Sequence, residues 1–218
     1  MVPLSYFLVY ELFKISSLSY FLSLTTAFLI AISPWHIYLS RLGHEVNLGL
    51  FLDMIAGYAF LRAINRKQGI WLIISAICFA LTFYSYQSQK IIAPVVVLGL
   101  ILIYRPLFLQ LKNFVVIATL IGFLISLPMV LLSVNPEGLT RLRATSAFSQ
   151  DHPVYKKFSN RRVASAQIFF SNYLSHFDPH WLFSGSSREN HKVPKLGLLY
   201  WWELPLILMG LISLFKRH

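Results

Sequence analysis

Asn113-Phe-Val-Val-Ile-Ala-Thr-Leu-Ile-Gly-Phe-Leu-Ile-Ser-Leu-Pro-Met-Val-Leu-Leu-Ser-Val134 is the stretch that decides the fold of this chain. It carries no charged side chain, and its apolar residues run all round the helix they would form rather than along one stripe. A bilayer core of about 30 Å needs roughly 20 helical residues to cross it, and this stretch supplies them. Working outward, the same pattern recurs in Ile15–Pro34, Val46–Ile64, Gly69–Gln87 and Gly197–Phe215, and in a shorter form in Ile91–Tyr104. The pattern predicts an all-α integral membrane protein of about six to seven transmembrane helices. A large loop precedes the last helix.

Composition agrees. The 218 residues are 56% hydrophobic and only 12% charged, about half the charged share of an ordinary soluble domain. Cys78 is the single cysteine; it lies in an apolar stretch and reads as a small packing residue. Val2–Phe13 offers about twelve apolar residues before Lys14, roughly 18 Å of helix, which is too short to cross. It has neither the basic start nor the small-residue cleavage site of a signal peptide. It reads as the second half of a spanning helix, and the chain as a fragment. A short amphipathic anchor is the plainer alternative.

Charge placement predicts orientation. With Lys14 cytoplasmic, Arg62, Arg66, Lys67, Arg105, Lys112, Lys216 and Arg217 fall on the same side, while Arg41 and Lys90 occupy the short turns on the other. That asymmetry is the positive-inside pattern. It divides the chain into a helical bundle at 1–134, an extracytoplasmic loop subdomain at 135–196, and a final helix with a cytoplasmic tail at 197–218. A cell (plasma) membrane is the expected location. The loop carries nine basic residues against four acidic, but loops of this length cross largely regardless of charge.

A net charge of +11 suits either nucleic acid or an anionic membrane surface. No nucleic-acid recognition motif is present, so membrane lipids and a lipid-linked phosphate are the expected partners. The plainer reading is a solvated loop surface resting against headgroups. The densest polar cluster is Ser33-Pro34-Trp35-His36-Ile37-Tyr38-Leu39-Ser40-Arg41-Leu42-Gly43-His44-Glu45, joining two spans. Pro34 should end the first helix, and Trp35 and Tyr38 suit the interfacial belt. Arg41 and Glu45 are spaced i, i+4, so a continuous helix would let them pair.

With Ala31 and Ile32, this cluster resembles a segment of the GT-C membrane glycosyltransferases, of the protein-O-mannosyltransferase and aminoarabinose-transferase kind. Two further segments follow in the same order. Phe83-Tyr-Ser-Tyr-Gln-Ser-Gln-Lys-Ile-Ile-Ala-Pro94 resembles the family's tyrosine-rich helix end with its basic residue and proline. Tyr173-Leu-Ser-His-Phe-Asp-Pro-His-Trp-Leu-Phe-Ser-Gly185, running on through Arg188 and His191 to Tyr200, resembles its outer loop returning to the membrane.

The resemblance implies transfer of a sugar from a polyprenyl-phosphate-linked donor to an extracytoplasmic acceptor. An acidic base activates the acceptor, and cations stabilise the leaving phosphate. Carried onto this chain, it makes Arg41 and Lys90 phosphate ligands, Tyr84 and Tyr86 groove residues, and Glu45 the remaining candidate base. His176, Arg188 and His191 become loop candidates, with His180 as a further imidazole. A divalent cation is allowed but not specified, since the histidine spacing is no firm metal pattern, and Ser186 stands where some relatives carry Asp. The family's key acidic residue lies in a first outer loop upstream of Met1, so a separate chain would supply the missing N-terminal part. The rival reading is a non-catalytic, transporter-like or lipid-binding membrane protein. Asp53, set inside an apolar span, should face the bundle interior with a partner or line a polar cavity, a structural hydrogen bond to a neighbouring helix being the plainer role; Glu11 and Glu203 read as structural.

Overall fold

The computed structural model describes residues 1–43, 45–135, 154–158, 160–185 and 196–216. Among these the chain is helical, with no strand. Arg188 and His191 lie outside the described residues, as does His44. The chain divides into two compact units, one of Met1–Ile32 with Leu39–Asn135, the other of Ser33–Tyr38 with Pro136–His218.

The first unit holds α1 (Val2–Leu12), α2 (Ser19–Ile32), α4 (Glu45–Arg66), α5 (Ile70–Thr82), α6 (Gln89–Ile103), α7 (Arg105–Gln110) and α8 (Lys112–Val134), and it receives the end of α3 (Pro34–Leu42). Among the described residues, only α4 and α8 are each long and apolar enough to cross a membrane. A third crossing is available if α2 and α3, bent by 55° at Ser33, count as one broken span. Several apolar stretches of the sequence thus yield helices shorter than expected, and the chain's punctuation explains it. Pro34 has no N–H to continue α2. The stretch after Thr82 tightens into i→i+3 bonds from Phe83, Tyr84 and Ser85, ending α5 at 13 residues. Pro106 restarts the chain as α7 after the bend at Tyr104. Gly197–Trp202 is not helical, so the last helix starts only at Glu203.

Helix α4 is the centre of this unit. One third of its apolar window is fully buried inside the protein, against 6% for α8, which packs along one side on α5. It packs on α1 and α5, and α5 packs in turn on α8 and α6. Phe60, Leu61, Ala63, Leu72 and Ala118 form one core cluster; Ala56, Phe79 and Ala93 form another. Ser75 Oγ donates to Ala56 O at 2.8 Å, tying α5 to α4. Other hydroxyls turn back on their own helices, Ser23 to Ser19 O and Thr26 to Leu22 O. That is how a polar side chain is satisfied where water is absent.

The second unit holds α9 (Val154–Lys157), α10 (Arg161–Ser175), a π-helical turn (His180–Ser184) and α11 (Glu203–Lys216). Asn160 caps α10 by accepting from Arg162 N at 2.9 Å. Glu203 Oε2 accepts from Tyr200 N at 3.0 Å, fixing the start of α11.

Candidate functional site

The polar residues of the first unit that the sequence singles out gather at one end of it, where α4 begins and α5 turns into α6. Gly49 sets this arrangement. A Cβ there would lie 2.8 Å from Ser85 Oγ and 2.9 Å from Gln89 Nε2, so glycine lets the α5–α6 turn come this close without displacing those side chains. The contact puts Gln89 and Lys90 about one helical turn, ~6 Å, inside the Glu45 end of α4. Both flanking helices rise past the turn. Tyr84 Oη donates to Ile125 O at 2.7 Å, and α8 runs on for nine more residues to Val134, roughly 13 Å further.

Below the turn lies an apolar groove of about 330 Å³ between α5, α6 and α8, within the size range of lipid and small-molecule pockets. Phe79 and Phe83 of α5, Pro94 and Val97 of α6, and Gly122 and Phe123 of α8 are among its walls. Lys90, Pro94, Val97 and Ile101 recur at helical spacing, so Lys90 heads the stripe of α6 that lines this groove. Lys90, partly buried, thus lies one helical turn before Pro94, on the stripe whose later members line the groove.

One turn deeper on α4, the Asp53 carboxyl lies near the Gln89 side chain of α6. Oδ1 of Asp53 and Oε1 of Gln89 are nevertheless buried with no partner. Unpartnered buried acceptors of this kind are costly. The sequence reading provides the Asp53 side of this pair but misses Gln89. Gln89 is uncharged and nothing in the sequence singles it out; the structure sets it with Ala93, Val97 and Leu100 on the inward face of α6.

The remaining candidates separate. Arg41 lies in the last turn of α3, and Glu45 is the first residue of α4. Gly43, at φ +60°, breaks the helix between them, so the expected i, i+4 pairing fails. The described residues contain two ion pairs, both to Glu11, and none links Arg41 to Glu45. Instead Asn47 Nδ2 reaches Ser40 Oγ at 3.4 Å across the turn. Both charged side chains are exposed.

Tyr84 is exposed rather than a wall of the groove. Its hydroxyl supports the α8 backbone three residues before Pro128, where the missing proline N–H weakens the helix ladder. Tyr86 is exposed as well. In the second unit, His176 lies exposed with Nδ1 2.6 Å from Asn172 O and its ring edge-on to Trp181. Asp178 Oδ1 accepts from His180 N at 3.0 Å. Among the described residues no group of three or more His, Cys, Asp or Glu is placed to hold a metal ion.

Glu11 is the carboxylate whose partners sequence reasoning missed. It is 5% exposed. Asn65 Nδ2 donates both to its carboxylate at 2.9 Å and to its backbone oxygen at 2.7 Å. Lys14 and Arg62 stand 3.9 Å away, and the Arg62 guanidinium lies over the Trp71 ring at 4.6 Å.

No protein-family model matches the chain, and no curated protein or solved structure matches it. The site is therefore interpreted from its own geometry.

Proposed function

We propose that this chain is a membrane-embedded part of a GT-C-like glycosyltransferase that holds a polyprenyl-phosphate-linked sugar. The observation that carries the reading is Lys90 at the head of the α6 stripe that lines the apolar groove. A polyprenyl tail has the chemistry of the groove, and its phosphate has the charge that Lys90 meets. Phe83, Pro94 and Val97 would grip the tail without polar contacts. Arg41 and Glu45, at the same end of α4, are within reach of a headgroup that stands above Lys90. In this reading Glu45 is the candidate base and Arg41 a second phosphate ligand. The proposal includes the full topology: six to seven crossings, with 135–196 on the extracytoplasmic side and the Lys14 and Lys112 ends in the cytoplasm.

The alternative, a non-catalytic lipid-binding or transporter-like protein, draws on Asp53. An ionisable group with an unpartnered oxygen inside a span is what a transport pathway carries. Binding experiments separate specific phosphate recognition from general basicity. A charge-assisted contact contributes about 1.5–3 kcal/mol, so Lys90→Ala should weaken undecaprenyl-phosphate binding by about tenfold to a hundredfold. Lys112→Ala, at the opposite end of the unit, should leave it unchanged. Equal losses from both substitutions, erased by high salt, would reject the phosphate site. Retained binding without sugar transfer would favour the alternative.

A further inference from the structure

Helix α10 is polar on one arc and aromatic on another. Ala164 and Ile168 are buried, and the same arc meets α9. Tyr155 Oη lies 2.9 Å from Ser165 Oγ, and Arg161 lies over the Tyr155 ring at 5.7 Å. Helical spacing places Val163, Ala166, Phe169, Phe170, Tyr173 and Leu174 on the opposite arc. Every one of these is exposed, Phe170 at 60% and Leu174 at 63%. Phe169 stacks on Tyr173 and Tyr173 meets Phe177, just past the helix end, at a tilt, with ring centroids 6.1 and 5.3 Å apart, and all three rings are more than half exposed. An exposed aromatic strip of this length on a folded surface marks an interaction face.

The chemistry of the helix selects the partner. Its only charged residues are Arg161 and Arg162 at the N-terminal end, with no acidic residue in 15. The end of α10 also leads to a point that resembles a membrane interface. His176–Pro179 lead into the π-helical turn, whose Phe183 stacks on Trp201 at 4.9 Å. Leu182 O accepts from Leu199 N at 2.9 Å. Trp201 and Trp202, both exposed, immediately precede the apolar helix α11, the position where tryptophans mark the headgroup level. A basic end, an apolar aromatic arc, and an anchoring Trp pair together match a helix that lies in the headgroup layer.

We propose that the aromatic arc of α10 rests on a lipid bilayer surface containing anionic headgroups, with Phe169, Phe170, Tyr173 and Leu174 inserted and Arg161 and Arg162 among the phosphates. This does not depend on glycosyl transfer. It requires only that the chain be membrane-bound.

Spin labels on the full-length chain test it, in a Cys78→Ala background reconstituted into phosphatidylcholine–phosphatidylglycerol bilayers. A label at Phe170→Cys should collide more with oxygen than with a water-soluble nickel chelate, at a depth of about 5–10 Å. A label at Asn172→Cys, near the opposite arc, should show the reverse preference. Both side chains are exposed, so neither label disturbs packing. Nickel access at both positions would overturn the proposal by placing the arc in water. Low access to both reagents at position 170, with label-to-label broadening, would overturn it in favour of a second copy of the chain.

Discussion

Glu11 and Asp53 are both carboxylates set among apolar helices of one unit, and their neighbours treat them differently. Glu11 has Asn65 on its carboxylate and on its backbone, with Lys14 and Arg62 close by. In that cluster only Arg62 Nε goes without a partner. Asp53 lies near Gln89, and each keeps one buried acceptor oxygen unmatched. The first arrangement closes on itself and joins α1 to α4. The second remains open, in the recess below the α5–α6 turn. A carboxylate that its surroundings already satisfy has its role in the fold. One left open beside a cation-headed groove has capacity to spare for a ligand.

The largest effect is expected at the closed cluster. Glu11→Ala would remove the carboxylate that Arg62 and the Asn65 amide share, leaving Arg62 with Tyr58 Oη and the Trp71 ring, and Asn65 with the backbone oxygen of residue 11. Removing one partner of a buried pair costs about 3–5 kcal/mol, and half-exposed Lys14 should add little. Unfolding of the detergent-solubilised chain should show a loss near the lower end of that range. A loss below about 1 kcal/mol, the worth of an exposed pair, would mean that the cluster is not the clamp of α1 on α4.

Asp53→Leu should move stability the other way. A carboxylate in a span costs roughly 2.5–3.5 kcal/mol on insertion scales, and an apolar replacement relieves that while stranding Gln89. A net gain of about 1–2 kcal/mol is expected, measured by the same unfolding assay. Destabilisation comparable to that of Glu11→Ala would show that the two carboxylates are not different in kind, and would remove the reason to assign Asp53 to function.

Gly49→Ala sharpens the open site without deleting either acceptor. The new Cβ meets Ser85 Oγ and Gln89 Nε2 below 3.0 Å. Both are side-chain atoms that can shift, so the cost should be about 1 kcal/mol, at the low end for overpacking. A fully neutral result would mean that the α5–α6 turn does not depend on close approach to α4.

Much of the architecture was readable before the structure. The charge-free stretch at 113–134 is α8 almost residue for residue, and Val46–Ile64 lies inside α4. Lengths were less readable where hydropathy continues through a break. Nothing in the apolar character of Ile15–Pro34 or Gly197–Phe215 marks that helix starts only at Ser19 and Glu203, because apolar turns satisfy a hydropathy window as well as apolar helices do. The site was partly readable. Lys90 and Asp53 stand out as charges in apolar surroundings, whereas Gln89 and Asn65 are uncharged and become visible only when another helix brings a carboxylate to them. The groove was not readable at all, since it is made of ordinary apolar side chains on three helices.

The smallest effect concerns the Arg41–Glu45 spacing, where sequence and structure part. An i, i+4 pair on an exposed helix is worth about 0.3–0.5 kcal/mol, and only if both residues share a helical face. Gly43 takes a left-handed conformation between them, which ends α3 and restarts the chain as α4, so the shared face is lost. A double-mutant cycle of Arg41→Ala and Glu45→Ala on stability should therefore give a coupling indistinguishable from zero. Gly43→Ala is the complementary arm. Its Cβ would meet nothing within 4 Å, so any loss it causes, expected at about 1 kcal/mol, reports backbone strain alone. If the cycle instead returned a coupling of the full helical-pair size, Arg41 and Glu45 would be paired at rest. Arg41 would then be held by a carboxylate rather than free to meet a phosphate, and the charge at the open end of the unit would fall to Lys90.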